Sequence, residues 1–264
     1  MVKQNKFKKA LSGDSPTFGL WQGIPDTTVA EIGAGAGFDW VLIDAEHGPF
    51  DVRSVMAHLQ AQEPYPVSAL VRPVEGSTSL IKQLLDIGAQ TLLVPMVDTP
   101  EQAEQIVRAA KYPPHGVRGL GTSMARAANW NRTSDYLNKA NDEICVIVQI
   151  ETLAGLENLP QIVNVVGVDA VFIGPSDLSA AMGHIGNPGH SDVVAAIEGA
   201  FKVIHAAGKQ AGTLAVTKEL ADKYVTAGAR FIGVGVDAAL LANATRQLAA
   251  QFIDGSNKNE TAGY

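Results

Sequence analysis

Residues 145–174 read CVIVQIETLAGLENLPQIVNVVGVDAVFIG and contain two short apolar runs on either side of a more polar stretch. The runs at 145–151 and 170–174 are rich in β-branched residues and have the length of buried strands. Between them, residues 156–163 repeat apolar side chains at the spacing of an amphipathic helix. A strand, a helix and a second strand in this order predict one β/α unit of a parallel sheet.

The same unit recurs along most of the chain. Further strands are predicted at 18–21, 40–46, 68–72, 91–95, 210–214 and 231–236, and further helices at 27–36, 52–62, 77–87, 100–110, 193–207, 218–227 and 238–252. Glycines stand where a left-handed residue ends four of these helices, at Gly37, Gly88, Gly208 and Gly228. Eight similar units favour one closed (β/α)₈ (TIM) barrel over residues 1–253, rather than an open doubly wound sheet.

Composition excludes several classes of protein. The 264 residues are 46% hydrophobic, and 27 acidic against 20 basic residues give a net charge of −7, which argues against a nucleic-acid surface. One cysteine, Cys145, cannot form an internal disulfide, and no run of about 18 apolar residues suggests a membrane span. We expect a cytoplasmic protein without a membrane partner, with a disordered polar tail at 254–264. The long connection at 112–140 is predicted to be an active-site loop.

Polar residues follow several predicted strands, at the end of the barrel where the chemistry of this fold is found. Glu151 and Asp177 follow consecutive strands, so their carboxylates can converge on one cation, and two such ligands suit Mg²⁺ or Mn²⁺. The alternative is that each carboxylate caps the helix that follows it. The presence of both acids favours a metal site.

Two further groups at strand ends can take part in catalysis. His47 can transfer protons near neutral pH, oriented by Asp44 or a later carboxylate, or it can simply bond a loop carbonyl. Arg72 can grip a carboxylate or enolate, or form a buried ion pair with Asp44, Glu46 or Asp86. No lysine ends a predicted strand, which disfavours an imine mechanism. The glycines at 33–37 lie between a helix and a strand, the reverse of a dinucleotide-binding loop, so no nucleotide cofactor is expected.

Several motifs together resemble the HpcH/HpaI aldolase family. They extend over nearly the whole chain and comprise Gly19-Leu20-Trp21, Gly37-Phe38-Asp39-Trp40, Gln83-Leu84-Leu85-Asp86, Leu93-Val94-Pro95-Met96, Tyr112-Pro113-Pro114 and Gly233-Val234-Gly235-Val236-Asp237. The chain departs from the family pattern at Gly48, Ser176 and Met182-Gly183-His184. The resemblance implies a barrel of the phosphoenolpyruvate/pyruvate type.

The resemblance also implies a role for individual residues. His47 corresponds to the acid/base histidine, Asp86 to the carboxylate that raises its basicity, and Arg72 to the stabiliser of the transition state. Glu151 and Asp177 correspond to ligands of Mg²⁺, Mn²⁺ or Co²⁺. The implied substrate-binding set comprises Gln149, the backbone of Ser176, Asp177, and the pocket residues Leu214 and Trp21.

The activity implied by the resemblance is reversible retro-aldol cleavage of small 4-hydroxy-2-keto acids, in particular 4-hydroxy-2-oxoheptanedioate to pyruvate and succinic semialdehyde. This is a step of aromatic-compound catabolism. The alternatives are an aldolase for 2-keto-3-deoxy sugar acids, a citramalyl or malyl thioester lyase, for which no basic coenzyme A patch is evident, and a non-catalytic metabolite-binding barrel. The family resemblance also implies a homohexamer, in which the alanine-rich helix 238–252 is expected to pack on a neighbouring subunit.

Overall fold

Eight parallel strands form a closed barrel, in which each strand pairs with its neighbours in sequence and the last pairs with the first. The computed structural model describes residues 2–253. The predicted fold class is therefore confirmed, while the tail prediction for 254–264 lies outside the described residues. The strands are β1 Thr17–Gln22, β2 Trp40–Asp44, β3 Ser68–Arg72, β4 Thr91–Val94, β5 Cys145–Ile150, β6 Ala170–Ile173, β7 Gln210–Leu214 and β8 Phe231–Val236.

Helices connect consecutive strands and cover the outside of the barrel. All of the predicted helices form, and three shorter ones, α1, α6 and α8, were not predicted. The helices are α1 Lys6–Ala10, α2 Thr27–Ala34, α3 Val52–Gln62, α4 Thr78–Asp86, α5 Pro100–Ala110, α6 Tyr136–Lys139, α7 Leu153–Ile162, α8 Pro175–Ala181, α9 Ser191–Ala206, α10 Lys218–Ala227 and α11 Asp237–Phe252.

Local capping explains where several of these helices begin and end. Helix α7 begins earlier than its apolar periodicity suggests, because the Thr152 hydroxyl accepts a hydrogen bond from the Gly155 N–H at 2.9 Å. The four glycines predicted at helix ends all have positive φ, the conformation in which a side chain would be strained. Local capping interactions thus determine where these helices begin and end, and with them the positions of the neighbouring strand ends.

The core of the barrel has two layers, and a separate small apolar cluster of Tyr112, Ala125, Ala128, Tyr136 and Ala140 lies in the connection before β5. One layer fills the barrel interior and includes Trp21, Trp40, Leu42 and Phe172. The Phe7 ring of α1 meets Trp40 edge-on at 6.2 Å between ring centroids, so this short helix covers one end of the barrel. The other, larger layer lies between the strands and the surrounding helices. Side chains alternate between these two layers along each strand. At the carboxyl end of the barrel, the inward-facing positions carry polar residues instead of apolar ones.

The connection between α5 and β5 lies at the amino end of the barrel. A strand begins where this connection ends, and Arg126 within it donates to the Glu63 carboxylate at 2.8 Å and to the Ile87 carbonyl at 3.2 Å, next to the carboxyl ends of α3 and α4. Those helix ends are at the same side as the strand starts. The prediction of an active-site loop at 112–140 is therefore wrong for the pocket of its own chain, which lies at the opposite end.

Helix α11 is the least covered element of the described chain. Only Asp237, at its first position, is buried, whereas Leu240, Leu241, Leu248 and Phe252 are at least half exposed. Within residues 2–253, no helix has the length and apolar character required to cross a bilayer.

Candidate active site

The carboxyl ends of the strands surround a small cavity of about 120 Å³. Most of the residues predicted for the site line it, together with three that were not predicted. The lining comprises Trp21, His47, Arg72, Gln149, Glu151, Phe172, Gly174, Pro175, Ser176, Asp177 and Leu214. Of the predicted residues, Asp44 lies directly behind this lining and Asp86 lies elsewhere.

Arg72 is held in the wall of the cavity by two acids. The register of the barrel places Asp44 directly beside Arg72, and two hydrogen bonds of 2.8 and 2.6 Å join the guanidinium to the carboxylate. The second acid, Glu46, lies 2.9 Å from the Nη1 atom of Arg72. The side chain of Arg72 is only 8% exposed. The two acids hold its guanidinium group in one orientation, with one edge facing the cavity.

His47 lies at the mouth of the cavity with its imidazole 66% exposed. Its backbone N–H reaches the Asp44 carboxylate at 3.4 Å, and the Glu46 N–H does so at 3.1 Å, so Asp44 shapes the turn that carries the histidine. The Nε2 atom of His47 lies 3.7 Å from Glu46 Oε2, making Glu46 the carboxylate nearest to the ring. Burial raises the pKa of Glu46, and the charges of Arg72 and His47 oppose that rise.

Glu151 is a buried carboxylate at the end of β5, with 2% of its surface exposed. Its hydrogen bonds come from neutral donors: the Met96 N–H at 2.9 Å and the Gln149 amide. Burial raises the pKa of Glu151, the two hydrogen bonds lower it, and the nearby charges of Asp177 and Glu46 raise it further. The helix-capping alternative does not apply to Glu151, because Thr152 caps the following helix.

The surroundings of Glu151 and Asp177 fit a hard divalent cation. Asp177 is exposed in the first turn of α8, a helix without a side-chain N-cap bond. A Cβ at Gly174 would lie 2.6 Å from Glu151 Oε2, so the glycine leaves space open beside this carboxylate. Carboxylate oxygens with room for further oxygen ligands are what Mg²⁺ or Mn²⁺ prefers. Together, Glu151 and Asp177 could hold such an ion, which would offset their mutual repulsion.

Three other predicted residues define the rest of the pocket. The Gln149 Oε1 atom is buried without a hydrogen-bond partner in the described chain, so a ligand that donates a hydrogen bond could satisfy it. Trp21 packs inside the barrel, and its ring centroid lies 5.5 Å from the Cζ atom of Arg72. Leu214 is the last residue of β7, and its side chain also lines the cavity.

The structure places Asp86 away from His47. Asp86 is the last residue of α4, a helix that runs back to the amino end of the barrel, and its carboxylate accepts a hydrogen bond of 2.7 Å from the buried Arg118. Within one chain, Asp86 therefore pairs with Arg118 and does not line the cavity at His47, and its effect on the basicity of His47 stays a prediction. Motif matching located the residue in the sequence but carried no information on which end of the barrel it occupies.

Sequence reasoning missed two functional features of this site. Glu46 was considered only as a partner of Arg72, yet it contacts both Arg72 and His47. The sequence places Gly174 at the end of a strand, but it gives no sign that the missing side chain makes room beside Glu151. The position of Glu46 one residue before His47 is a signal in the sequence that the two side chains can meet. The role of Gly174 depends on its contact with Glu151 from the neighbouring strand, which the sequence does not show.

The family is decided by comparison along the chain. A family model described as HpcH/HpaI aldolase/citrate lyase matches residues 17–244. The chain belongs to this family. The hydroxypyruvate/pyruvate aldolase of Deinococcus radiodurans is 59% identical to it over 254 residues, which cover 96% of this chain and 92% of that protein. The 4-hydroxy-2-oxo-heptane-1,7-dioate aldolase of Shigella sonnei is 55% identical over 249 residues, covering 94% and 95%.

The shape of the HpcH/HpaI barrel agrees with this assignment. A crystal structure of an HpcH/HpaI aldolase/citrate lyase family protein from Burkholderia cenocepacia matches with a TM-score of 0.90 and 38% identity, covering 94% of this chain and 99% of that one. The resemblance seen in the sequence is confirmed. The protein is an aldolase, that is, a carbon–carbon lyase.

Proposed function

We propose that the aldolase cleaves 4-hydroxy-2-keto acids, in particular 4-hydroxy-2-oxoheptanedioate, to pyruvate and an aldehyde, which for this substrate is succinic semialdehyde. The observation that supports this most is the convergence of Glu151, Asp177, Arg72 and His47 on one cavity. The set combines a cation site, a fixed positive charge and a titratable group, as enolate chemistry requires.

A divalent cation held by Glu151 and Asp177 would supply Lewis-acid stabilisation to negative charge that develops on the 2-keto oxygen of the substrate. Arg72 adds a positive charge beside the same region, and its bonds to Asp44 keep it oriented. The lining residues that surround these groups leave a confined space in which the keto-acid end of a substrate is oriented.

His47 acts as the base in the cleavage direction. It accepts the proton of the 4-hydroxyl group as the C4–O bond becomes a carbonyl. The bond between C3 and C4 breaks, its electron pair moves into the enolate of pyruvate, and the aldehyde leaves. Protonation of the enolate at C3 then gives pyruvate. The exposed position of His47 allows the proton to exchange with solvent between turnovers.

A second candidate substrate follows from the names of the relatives. The 59% identical protein of Deinococcus radiodurans is named a hydroxypyruvate/pyruvate aldolase, so hydroxypyruvate is a candidate nucleophile for this chain as well. Hydroxypyruvate presents the same carboxylate and keto oxygen as pyruvate, and both would meet the same polar groups. The two compounds differ only at C3, where the new bond forms.

A substrate panel tests the proposal. Purified enzyme with Mg²⁺ or Mn²⁺ is given 4-hydroxy-2-oxoheptanedioate, a 2-keto-3-deoxy sugar acid and a simpler 4-hydroxy-2-keto acid, and release of pyruvate is followed. In the synthesis direction, pyruvate and hydroxypyruvate are compared with the same aldehyde. We expect the highest kcat/KM for 4-hydroxy-2-oxoheptanedioate. A higher value for the sugar acid would overturn the choice of substrate, and release of no pyruvate from any compound would overturn the proposed reaction.

A further inference from the structure

A second group of metal-ligating side chains lies outside the active site, on the connection between α8 and α9 and in the first turn of α9. His184, His190 and Asp192 each offer one ligand atom, and these atoms all lie within 4.8 Å of one another. His184 Nε2 is 3.4 Å from Asp192 Oδ2, and His190 Nδ1 is 3.7 Å from the same oxygen. We propose that these three residues bind a late transition-metal ion of the Zn²⁺ class, separate from the cation at Glu151 and Asp177.

The backbone brings the two histidines together. The His184 N–H donates to the Ser179 carbonyl at 2.7 Å, and the His190 N–H donates to the Asn187 carbonyl at 3.0 Å. Gly183, directly before His184, and Gly186, between the two histidines, have positive φ and allow the tight turns of this segment. The imidazole rings lie face to face, with centroids 3.6 Å apart and an angle of 14° between their planes. The backbone bonds therefore hold the two histidines next to each other.

Few other protein contacts compete for the donor atoms. Within residues 2–253, the His184 ring makes no hydrogen bond beyond its ion-pair approach to Asp192. His190 Nδ1 accepts the N-cap bond of α9 from the Asp192 N–H at 3.3 Å, and the Ser191 hydroxyl lies 3.5 Å from Asp192 Oδ1. The three side chains are 27%, 34% and 64% exposed, so an ion can enter and keep water ligands. Ligand atoms of a tetrahedral site with bonds of about 2.1 Å lie about 3.4 Å apart, close to the 3.4 and 3.7 Å that separate the two imidazole nitrogens from Asp192 Oδ2. The stacked rings must turn for both lone pairs to point at one ion.

The ligand atoms of this cluster favour a different class of metal ion than the ligands of the active site do. Two imidazole nitrogens and one carboxylate suit Zn²⁺ and other late first-row metals, whereas carboxylates alone suit Mg²⁺ or Mn²⁺. An ion at the cluster would link the α8–α9 connection to the first turn of α9. Since His184 bonds the Ser179 carbonyl and the Ser179 hydroxyl bonds the Ser176 carbonyl at 2.7 Å, the linked segment continues into the turn that carries Asp177.

Counting bound metal in an active-site variant tests this proposal independently of aldol activity. The protein is an untagged, metal-stripped Glu151→Gln variant, which lacks one carboxylate ligand of the active-site cation. Calorimetry measures its binding of Zn²⁺, and absorption spectroscopy measures its binding of Co²⁺. We expect one Zn²⁺ per chain, a Co²⁺ spectrum typical of imidazole ligands, and a thermal midpoint that rises with Zn²⁺ concentration. Excess Mg²⁺ should not displace the Zn²⁺.

Variants in the Glu151→Gln background assign the ligands. His184→Ala and Asp192→Asn should each weaken Zn²⁺ binding at least tenfold, and neither side chain lies in a hydrophobic core. His115→Ala, which removes an exposed histidine at the other end of the barrel, is the matched control and should bind Zn²⁺ unchanged. Unchanged Zn²⁺ affinity in folded His184→Ala protein, or no bound Zn²⁺ in the parent, would overturn the proposal. Neither result would bear on the aldolase reaction, because the readout is metal content.

Discussion

Asp44 and Arg72 face each other across the β2 and β3 strands and form two hydrogen bonds of 2.8 and 2.6 Å, with both side chains less than 10% exposed. The pairing follows from strand register, since these residues are direct partners at the last position of each strand. It explains how a positive charge can be kept rigid at the wall of a small cavity. The Asp44 carboxylate accepts hydrogen bonds from Arg72 and from the backbone of the turn at residues 46–47. The carboxylate nearest to the His47 ring is that of Glu46.

Loss of this buried pair should destabilise the protein. Asp44→Ala leaves the Arg72 charge buried beside Glu46 alone, and we expect a loss of about 3 kcal/mol in the free energy of unfolding. The matched control is Glu63→Ala, which removes a half-exposed acid from Arg126 and Lys3 and should cost less than about 1 kcal/mol. Urea unfolding measures both values. Equal losses for the two variants would show that burial of the Asp44 pair has no energetic consequence.

The barrel was predictable from the sequence because each unit carries its own signals, namely apolar strands, periodic helices and terminal glycines. The same holds for Glu151, Asp177, Arg72 and His47, since strand ends of a parallel barrel meet at one rim. Asp86 could not be placed in this way, because its motif gives the residue but not the direction of the helix that ends with it. The pairing of Arg72 with Asp44 among three possible acids was equally beyond the sequence, since register decides it.

Replacement of His47 should separate catalysis from binding. In His47→Ala we expect kcat to fall by about 10²–10⁴-fold, the usual contribution of a positioned general base, with metal and pyruvate affinity nearly unchanged. Stability should also be unchanged, because the imidazole is 66% exposed. Steady-state kinetics and calorimetry provide the measurements, with His115→Ala as the control. A normal kcat from pH 6 to 9 would rule out His47 as the base.

The raised pKa of Glu151 gives a stability effect whose sign can be stated. In metal-free protein the folded state holds the Glu151 proton more tightly than the unfolded state does. This contribution is fully present below the ordinary glutamate pKa and is lost as the pH rises through the folded pKa. Removing the charge with Glu151→Gln should therefore raise the thermal midpoint of metal-free protein at neutral pH.

The difference between Glu151→Gln and the unchanged protein should shrink as the pH falls towards the ordinary glutamate range. Glu157→Gln, an exposed site on the next helix, should show no such trend. Added Mg²⁺ should stabilise the unchanged protein and leave Glu151→Gln unaffected, because the ion requires the charged carboxylate. A Glu151→Gln protein that is less stable than the unchanged one across the whole pH range would contradict the account of this group.

The exposed apolar residues of α11 lead us to propose that the helix packs on a second copy of the chain, within a homo-oligomer that the family resemblance suggests is a hexamer. Leu241→Asp with Leu248→Asp should dissociate the oligomer, since each leucine is more than half exposed and would be covered by the neighbour. Asn243→Asp places a charge on the same helix without removing apolar surface and serves as the control. Light scattering gives the masses. A monomeric unchanged protein at micromolar concentration would refute the proposal.

The exchange of the pyruvate methyl protons with deuterium from D₂O is the most direct test of the central claim, which is that a cation at Glu151 and Asp177 makes the pyruvate enolate accessible. The reaction needs no aldehyde, so it does not depend on the choice of substrate. Proton NMR of pyruvate with the enzyme should show loss of the methyl signal when Mg²⁺ is present. The loss should stop in excess EDTA, fall at least 10²-fold in Glu151→Gln, and persist in Glu157→Gln. Exchange at an undiminished rate in EDTA, or no exchange with Mg²⁺ present, would contradict the account.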